Sequence, residues 1–321
     1  HAVTDFASAA MMRVLAQGLR ALGLDPGDPA VGVREARVQL GAKQDLVRYA
    51  VRQGGLACLP RLGQGLHRLT HEPTHQALVS ARSAADLFER WQRLERYIHS
   101  RHRCVVEACE PGEARLRHVS TAPGSAPSAA EDLVVAGVLA ALLEAIGLRP
   151  VALRLGPGGA WAADDPRAIE HAAARGDTAT WHFRWQGTPT RIDPPAMDRL
   201  APELGADAAW PGTVRASYLR LAADLTSPLG LKELAAALGL PARTLQRRLG
   251  EQGLGYATLL AEARCRTGAW RLLHTADPIA EVGFLSGFSD QPHFTREMQR
   301  RVGMPPAAYR AAFGRPGTTR P

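Results

Sequence analysis

One plan is written twice in the last third of this chain: an apolar-periodic helix, a glycine turn, then a second helix whose free face is polar. In the first copy, Leu231, Leu234, Ala235, Leu238, Leu245 and Leu249 recur at helical spacing and supply a buried seam. Small Ala235 lets two helices approach, and Gly239 can adopt the positive φ of a tight turn. The second copy runs from Ile279 to Met298, with Ile279, Val282, Leu285, Phe294 and Met298 as its seam and Gly287 at the turn. Ser289 is placed to cap its second helix, where Pro292 is harmless in the first turn because it lacks only an N–H that has no helical partner there. A pair of such units predicts an all-α module.

The side chains left outside the seams carry the chemistry. On the second helix of the first unit they are Arg243, Gln246 and Arg247, with the two arginines one turn apart. Arginine bonds bidentately to guanine, and glutamine to adenine, in the major groove of DNA. On the second unit, Gln291, Thr295 and Arg296 occupy the equivalent face. Tyr256 to His274 reads as a long amphipathic linker helix of about 28 Å at 1.5 Å per residue. That length can hold two reading helices near one turn of duplex apart, about 34 Å. Charge agrees: residues 213–321 hold 15 Lys and Arg against 8 Asp and Glu, while residues 1–212 hold 24 against 23. The overall excess of +8 is thus concentrated where a polyanion would bind.

These residues resemble the DNA-binding domain of the AraC/XylS family of transcriptional regulators. The resemblance is carried by Ile279-Ala280-Glu281-Val282, by Gly287-Phe288-Ser289-Asp290-Gln291 with His293-Phe294, and by the closing run from Arg300 to Arg310. It implies base readout early in each recognition helix, at Arg243, Gln246 and Arg247 in the first unit and at Pro292 and Arg296 in the second. Pro292 departs from that pattern, since proline offers no donor to a base edge, so readout there leans on Arg296 with Gln291 or Thr295. Thr244, Ser289 and Arg301 are candidates for phosphate contact, which positions a protein without carrying sequence information directly.

The remaining two thirds read as an α+β domain. Helices are expected over Thr4–Leu24, Gln44–Ala57, Ser83–Ser100 and Glu131–Ile146, the last apolar on most sides and hence buried. Cys104 to Val119 alternates like two strands around Pro111-Gly112, and Val151–Leu155 and Thr180–Trp185 read as further strands. Thr121 to Ala130 reads as a loop. Prolines cluster between Gln186 and Thr213, which places a domain boundary near Pro211-Gly212. The expected organisation is a mostly α protein, with an effector-sensing and dimerisation domain over 1–211 and a DNA-binding domain over 212–321. The order of segments around His67-Arg68-Leu69-Thr70-His71-Glu72-Pro73-Thr74 resembles the sensory domain of a subgroup with a helical, arabinose-binding-like N-terminal region, as in ornithine-utilisation regulators. That resemblance implies a small-molecule effector of no fixed identity.

Three weaker constellations favour structural roles. His67, His71 and His75 are four apart, but Pro73 breaks the helix that would stack them on a metal. Cys104 and Cys109 lack a two-residue gap, and an odd separation on a strand points them to opposite faces. Gly156-Pro157-Gly158-Gly159 has no following Gly-Lys-Ser/Thr and reads as a turn. Trp91, Tyr97, Trp161, Trp181 and Trp185 fit either a pocket or the core. The four cysteines form no framework, no run approaches the ~18 apolar residues of a membrane span, and the chain is expected to be cytoplasmic, without metal or cofactor. The expected partners are double-stranded DNA, the effector, RNA polymerase if the protein is an activator, and a second copy in a homodimer. The alternatives are a DNA-binding domain fused to an enzymatic, DNA-repair-like domain, which needs an activated cysteine, or to a purely oligomerising one.

Overall fold

A computed structural model describes residues 6–27, 36–99, 101–121, 124–159, 161, 165–190 and 205–314. Two compact units emerge: His1–His67 with Leu78–Arg191, and Arg68–Ala77 with Ile192–Pro321.

The first unit is α+β. Phe6–Ser8 (β1) pairs antiparallel with Arg37–Gln39 (β2), and each leads directly into a helix, Ala9–Ala21 (α1) and Leu40–Gly54 (α2). The helix expected from Thr4 therefore begins only at Ala9. Ser8 stays extended and its hydroxyl accepts the Met11 N–H at 3.1 Å, satisfying a donor that the first turn leaves open. Helix α2 starts four residues earlier than expected and stops at Gly54, because Gly55 takes a φ of 69°. Short 3-10 helices follow at Leu56–Cys58 and Pro60–Arg68, and then the short helix Pro73–Val79 (α3).

Ala84–Ile98 (α4) is capped by Ser83 as the sequence suggests, with the Ser83 hydroxyl accepting the Asp86 N–H at 3.1 Å. His102–Glu110 (β3) and Glu113–Ser120 (β4) form the expected hairpin, and Val151–Leu155 (β5) and Thr180–Trp185 (β6) coincide with the expected strands. The four make an antiparallel sheet in the order β3-β4-β6-β5, with a register shift between Val106 and Ala108. Alternation turns Ala114, Leu116, Leu153, Leu155, Trp181 and Phe183 inward. Ala129–Ala145 (α5) packs against β5. It starts two residues before the expected Glu131, held by a capping box in which Ser128 and Glu131 satisfy each other's backbone N–H groups.

Two features escape sequence reading. Gly137 is a close-approach site in α5: a Cβ there would lie 2.0 Å from the Pro60 carbonyl oxygen, so glycine admits the 3-10 segment against the helix. Pro166–Arg175 (α6) also went unread, although Asp165 caps it, Pro166 opens it and Gly176 closes it in the left-handed conformation. With only Ile169 and Ala172 buried, its apolar periodicity is too thin to register.

Trp91, Trp181 and Trp185 belong to the core, whereas Trp161 lies half-buried between the guanidinium groups of Arg154 and Arg184. Cys104 is buried and Cys109 half-buried. A polar chain runs through this core. His118 Nδ1 lies 2.8 Å from Asp132 Oδ1, and Asp132 Oδ2 accepts the Thr178 hydroxyl at 2.7 Å. Beside it, Glu95 accepts the Trp91 indole N–H at 2.7 Å and the Cys104 backbone N–H at 2.9 Å. His99 borders this chain. Burial, together with the positive neighbours Lys43, His102, His118 and Arg103, pushes its imidazole down to about 2.

That depression fixes a sign. The unfolded chain binds a proton at His99 below about 6.5, while the folded chain refuses it until about 2. Stability is therefore expected to fall as pH drops below 6.5, by up to about 1.4 kcal/mol per pH unit for this one group. Urea denaturation at pH 7.5 and 5.5 measures the drop, and His99→Gln should shrink it; equal stability at both pH values contradicts the assignment.

The second unit is all α, as expected: Gly212–Ala223 (α7), Leu231–Ala237 (α8), Ala242–Gly250 (α9), Tyr256–His274 (α10), Ile279–Leu285 (α11), Gln291–Val302 (α12) and Pro306–Phe313 (α13). It takes in more chain than residues 212–321. Trp210 packs on Tyr218 with ring centroids 5.5 Å apart, His71 stacks on Trp210, and the Tyr309 hydroxyl donates to the Pro73 carbonyl at 2.8 Å.

Candidate nucleic-acid interface

Each reading helix is held from behind by its seam. In the first helix-turn-helix motif Leu234, Ala235, Leu245 and Leu249 are fully buried, with Leu231 and Leu238 packed on the same cluster. Gly239, at φ 66°, turns the chain between α8 and α9. Helix α8 is fixed at its start by the Glu233 carboxylate, which accepts the Gly230 N–H at 2.7 Å. Helix α9 is braced from its side by Arg248, whose guanidinium donates to the Thr213 hydroxyl at 2.8 Å. Arg243, Gln246 and Arg247 project outward and are exposed, while Thr244 is half-buried at the margin. Arg247 pairs with Glu251 one turn on. That exposed pair costs little to open, since surface ion pairs contribute about 0–1 kcal/mol.

In the second helix-turn-helix motif Val282, Phe294 and Met298 are buried, and Ile279 and Leu285 half-buried. Phe294 fills a slot made by two glycines: a Cβ on Gly268 would come within 2.7 Å of its ring, and one on Gly283 within 3.2 Å. Phe288 packs on it with ring centroids 4.9 Å apart. Gly287, at φ 79°, makes the turn, and a Cβ there would lie 2.1 Å from the Leu225 carbonyl oxygen. Gln291, Pro292 and Arg296 are exposed and Thr295 half-buried.

The structure corrects two sequence expectations here. Asp290, not Ser289, caps α12: its carboxylate accepts the His293 N–H at 2.6 Å, and Ser289 Oγ instead bonds the Asp290 carboxylate and faces His293 Nδ1, each at 3.2 Å. A carboxylate also opposes the positive end of the helix dipole, which a hydroxyl does not. Ser289 remains exposed beside the interface.

Arg301 is the second correction. Its guanidinium is buried between Glu262 and Glu297, bonded to Glu262 and, through Nε at 2.8 Å, to Glu297. A phosphate cannot reach a cation enclosed by two carboxylates. Burial opposes ionisation of Glu297, yet hydrogen bonds from Arg300 and Arg301 hold its carboxyl at about 2. Glu262 also pairs with Arg266 at 3.1 Å, and Arg266 donates to the Gly205 carbonyl at 2.7 Å.

Both of these acidic and basic partners on α10, Glu262 and Arg266, are buried, as are Leu259, Cys265, Trp270 and Leu273. The helix expected as a linker is thus the central post of the unit, packed against α7, α11, α12 and α13. Sequence reading missed α7 too, although Val214, Tyr218 and Leu221 already show its helical spacing.

The exposed faces therefore gather Arg243, Gln246 and Arg247 on one helix, and Gln291, Pro292 and Arg296 on another. Residues 234–312, which span both units, match the family model described as "Helix-turn-helix domain". Over 96 residues the chain is 32% identical to the transcriptional activator NphR of Rhodococcus sp, covering 30% of this chain and 28% of that protein. It is 33% identical over 82 residues to the ornithine utilization regulator of Pseudomonas aeruginosa, covering 26% of this chain and 24% of the relative. The matches thus span about a quarter of these curated relatives. Among solved structures, the C-terminal domain of AraT, a response regulator from Geobacillus stearothermophilus, aligns over 35% of this chain and 95% of its own, at 24% identity and a TM-score of 0.31. Two glycine-turned units on a shared central helix, matched by that family model and by these regulators, make the C-terminal region of this chain a helix-turn-helix domain of the AraC type.

Proposed function

We propose that the whole chain is a cytoplasmic, sequence-specific transcriptional regulator that reads double-stranded DNA through α9 and α12 and responds to a small molecule bound by its first unit. The carrying observation is that Arg243, Gln246 and Arg247, and again Gln291 and Arg296, stand exposed on helices whose opposite faces are locked into the core. Rigidly held bidentate donors are what base readout requires. Thr295 supports Arg296 from the adjoining position, and Thr244 and Ser289 are assigned to phosphate contact. Binding to paired sites as a homodimer, and contact with RNA polymerase at an activated promoter, complete the proposal.

The enzymatic alternative finds less support. Its repair chemistry needs a thiolate, but burial pushes all four thiols upward: Cys58, Cys104 and Cys109 rise, and Cys265 reaches about 12. Among the described residues, no group of three or more His, Cys, Asp or Glu is placed to hold a metal ion. No helix among the described residues is long and apolar enough to cross a membrane.

Capture of genomic fragments by the purified chain tests the proposal. The expected result is enrichment of one sequence motif, with affinity that falls steeply with salt because phosphate contacts release counterions. Uniform recovery of all fragments overturns sequence-specific regulation.

A further inference from the structure

The first unit contains a cavity of about 550 Å³, within the range of small-molecule sites, lined by α2 and by the start of α5. Its walls are apolar at Val47, Val51, Leu56 and Ala130, and Arg48 and Arg52 stand exposed on its α2 side. Two buried charged side chains complete the lining. Lys43 is 2% exposed and Glu131 8%.

Neither of these groups is fully satisfied by the protein around it. The Lys43 ammonium has three N–H donors, and its hydrogen-bond contact among the described residues is His99 Nε2, at 3.4 Å. No carboxylate lies within ion-pair distance of it among the described residues. Burial accordingly lowers the pKa of Lys43, against the pull of Glu131 and Glu95. Glu131 spends Oε2 on the Ser128 backbone and hydroxyl, at 2.9 and 2.8 Å. Its Oε1 is buried without a hydrogen bond, the nearest ionisable partner being His102 Nδ1 at 3.9 Å. A buried lysine without a counter-ion and a buried carboxylate oxygen without a donor are both costly. The two residues that carry them line one cavity, where a ligand could supply complementary groups.

We propose that this cavity binds a small aliphatic carboxylate that carries a hydroxyl or amino group next to its carboxyl carbon. The ligand carboxylate pairs with Lys43, the adjacent donor satisfies Glu131 Oε1, and the aliphatic tail lies along Val47, Val51, Leu56 and Ala130. The inference deepens the effector role proposed above and rests on it for biological meaning, but the binding itself is independent of DNA.

Calorimetric titration of the full chain uses three probes: 2-hydroxy-4-methylpentanoate, 4-methylpentanoate and 4-methylpentanamide. The hydroxy acid is expected to bind with saturation, about tenfold tighter than the acid lacking the hydroxyl, with the amide not binding measurably. Lys43→Met should weaken the hydroxy acid at least about tenfold while the circular dichroism spectrum is retained, since removing a buried unpaired charge does not cost the fold. Val51→Trp, which fills the cavity and leaves Lys43 in place, should also block it. The site is overturned if the hydroxy acid gives no saturable heat, if the amide matches the acids, or if binding survives both variants. Parallel DNA binding keeps the two claims apart, because a chain that reads DNA but ignores every probe loses only this site.

Discussion

Glu262→Ala is expected to destabilise the second unit by about 3–5 kcal/mol, a large share of the roughly 5–15 kcal/mol that holds an ordinary domain folded. The carboxylate is buried on α10 and pairs with both Arg266 and Arg301, which are themselves buried. Removing it leaves two guanidinium groups without their shared counter-ion in a medium that solvates them poorly. Arg301 retains Glu297, and Arg266 retains the Gly205 carbonyl, so the loss falls short of two full desolvation penalties. Urea denaturation followed by far-ultraviolet circular dichroism measures it, and a loss under about 1 kcal/mol would place the network at the surface. Arg301→Met separates the structural role from the phosphate contact expected of this residue. A buried partner of Glu262 changes stability and leaves the salt dependence of DNA affinity alone, whereas a phosphate contact would lower the slope of log K against log salt by about 0.9.

Phe294→Ala should cost about 3–5 kcal/mol, by lost burial and by the cavity left behind. The ring is fully buried, and its slot is lined by glycines at positions 268 and 283, which have no side chains to collapse into the space. Phe288, packed on it with ring centroids 4.9 Å apart, loses its partner as well. Because α12 presents Arg296 from the opposite face, the expected signature is loss of the second unit's cooperative unfolding together with loss of specific DNA binding. A variant that stays as stable as the wild type would show that the slot repacks, and that the motif's glycines are not there to admit the ring.

The DNA-binding units were legible because their signals are local: two glycine turns, apolar positions three and four apart, and polar residues on the face left over. What the sequence hid was the pairing of distant charges. Arg301 follows Arg300 in a basic run and reads like a surface cation, yet Glu262, 39 residues earlier, encloses it. Asp290 beside Ser289 offers two possible caps, and only geometry decides between them. Helix α10 looked like a linker because its buried Glu262 and Arg266 mimic a solvated face; their pairing with each other and with Arg301 makes burial tolerable. In the first unit, the strands coincide with alternation at Val151–Leu155 and Thr180–Trp185, while α6 was missed for want of apolar residues. The cavity beside Lys43 had no local signature, since Lys43 and Glu131 lie 88 positions apart.

The most direct measurement of the central claim is binding of the captured DNA fragment, at one fixed salt concentration, by wild type, Arg247→Ala and Arg296→Ala. Each variant is expected to lose about 1–3 kcal/mol of specific affinity, with non-specific binding nearly unchanged and preference relaxed at the base pairs that its arginine reads. Affinity that falls equally for specific and random DNA in both variants would make these arginines general phosphate contacts and would contradict readout through α9 and α12.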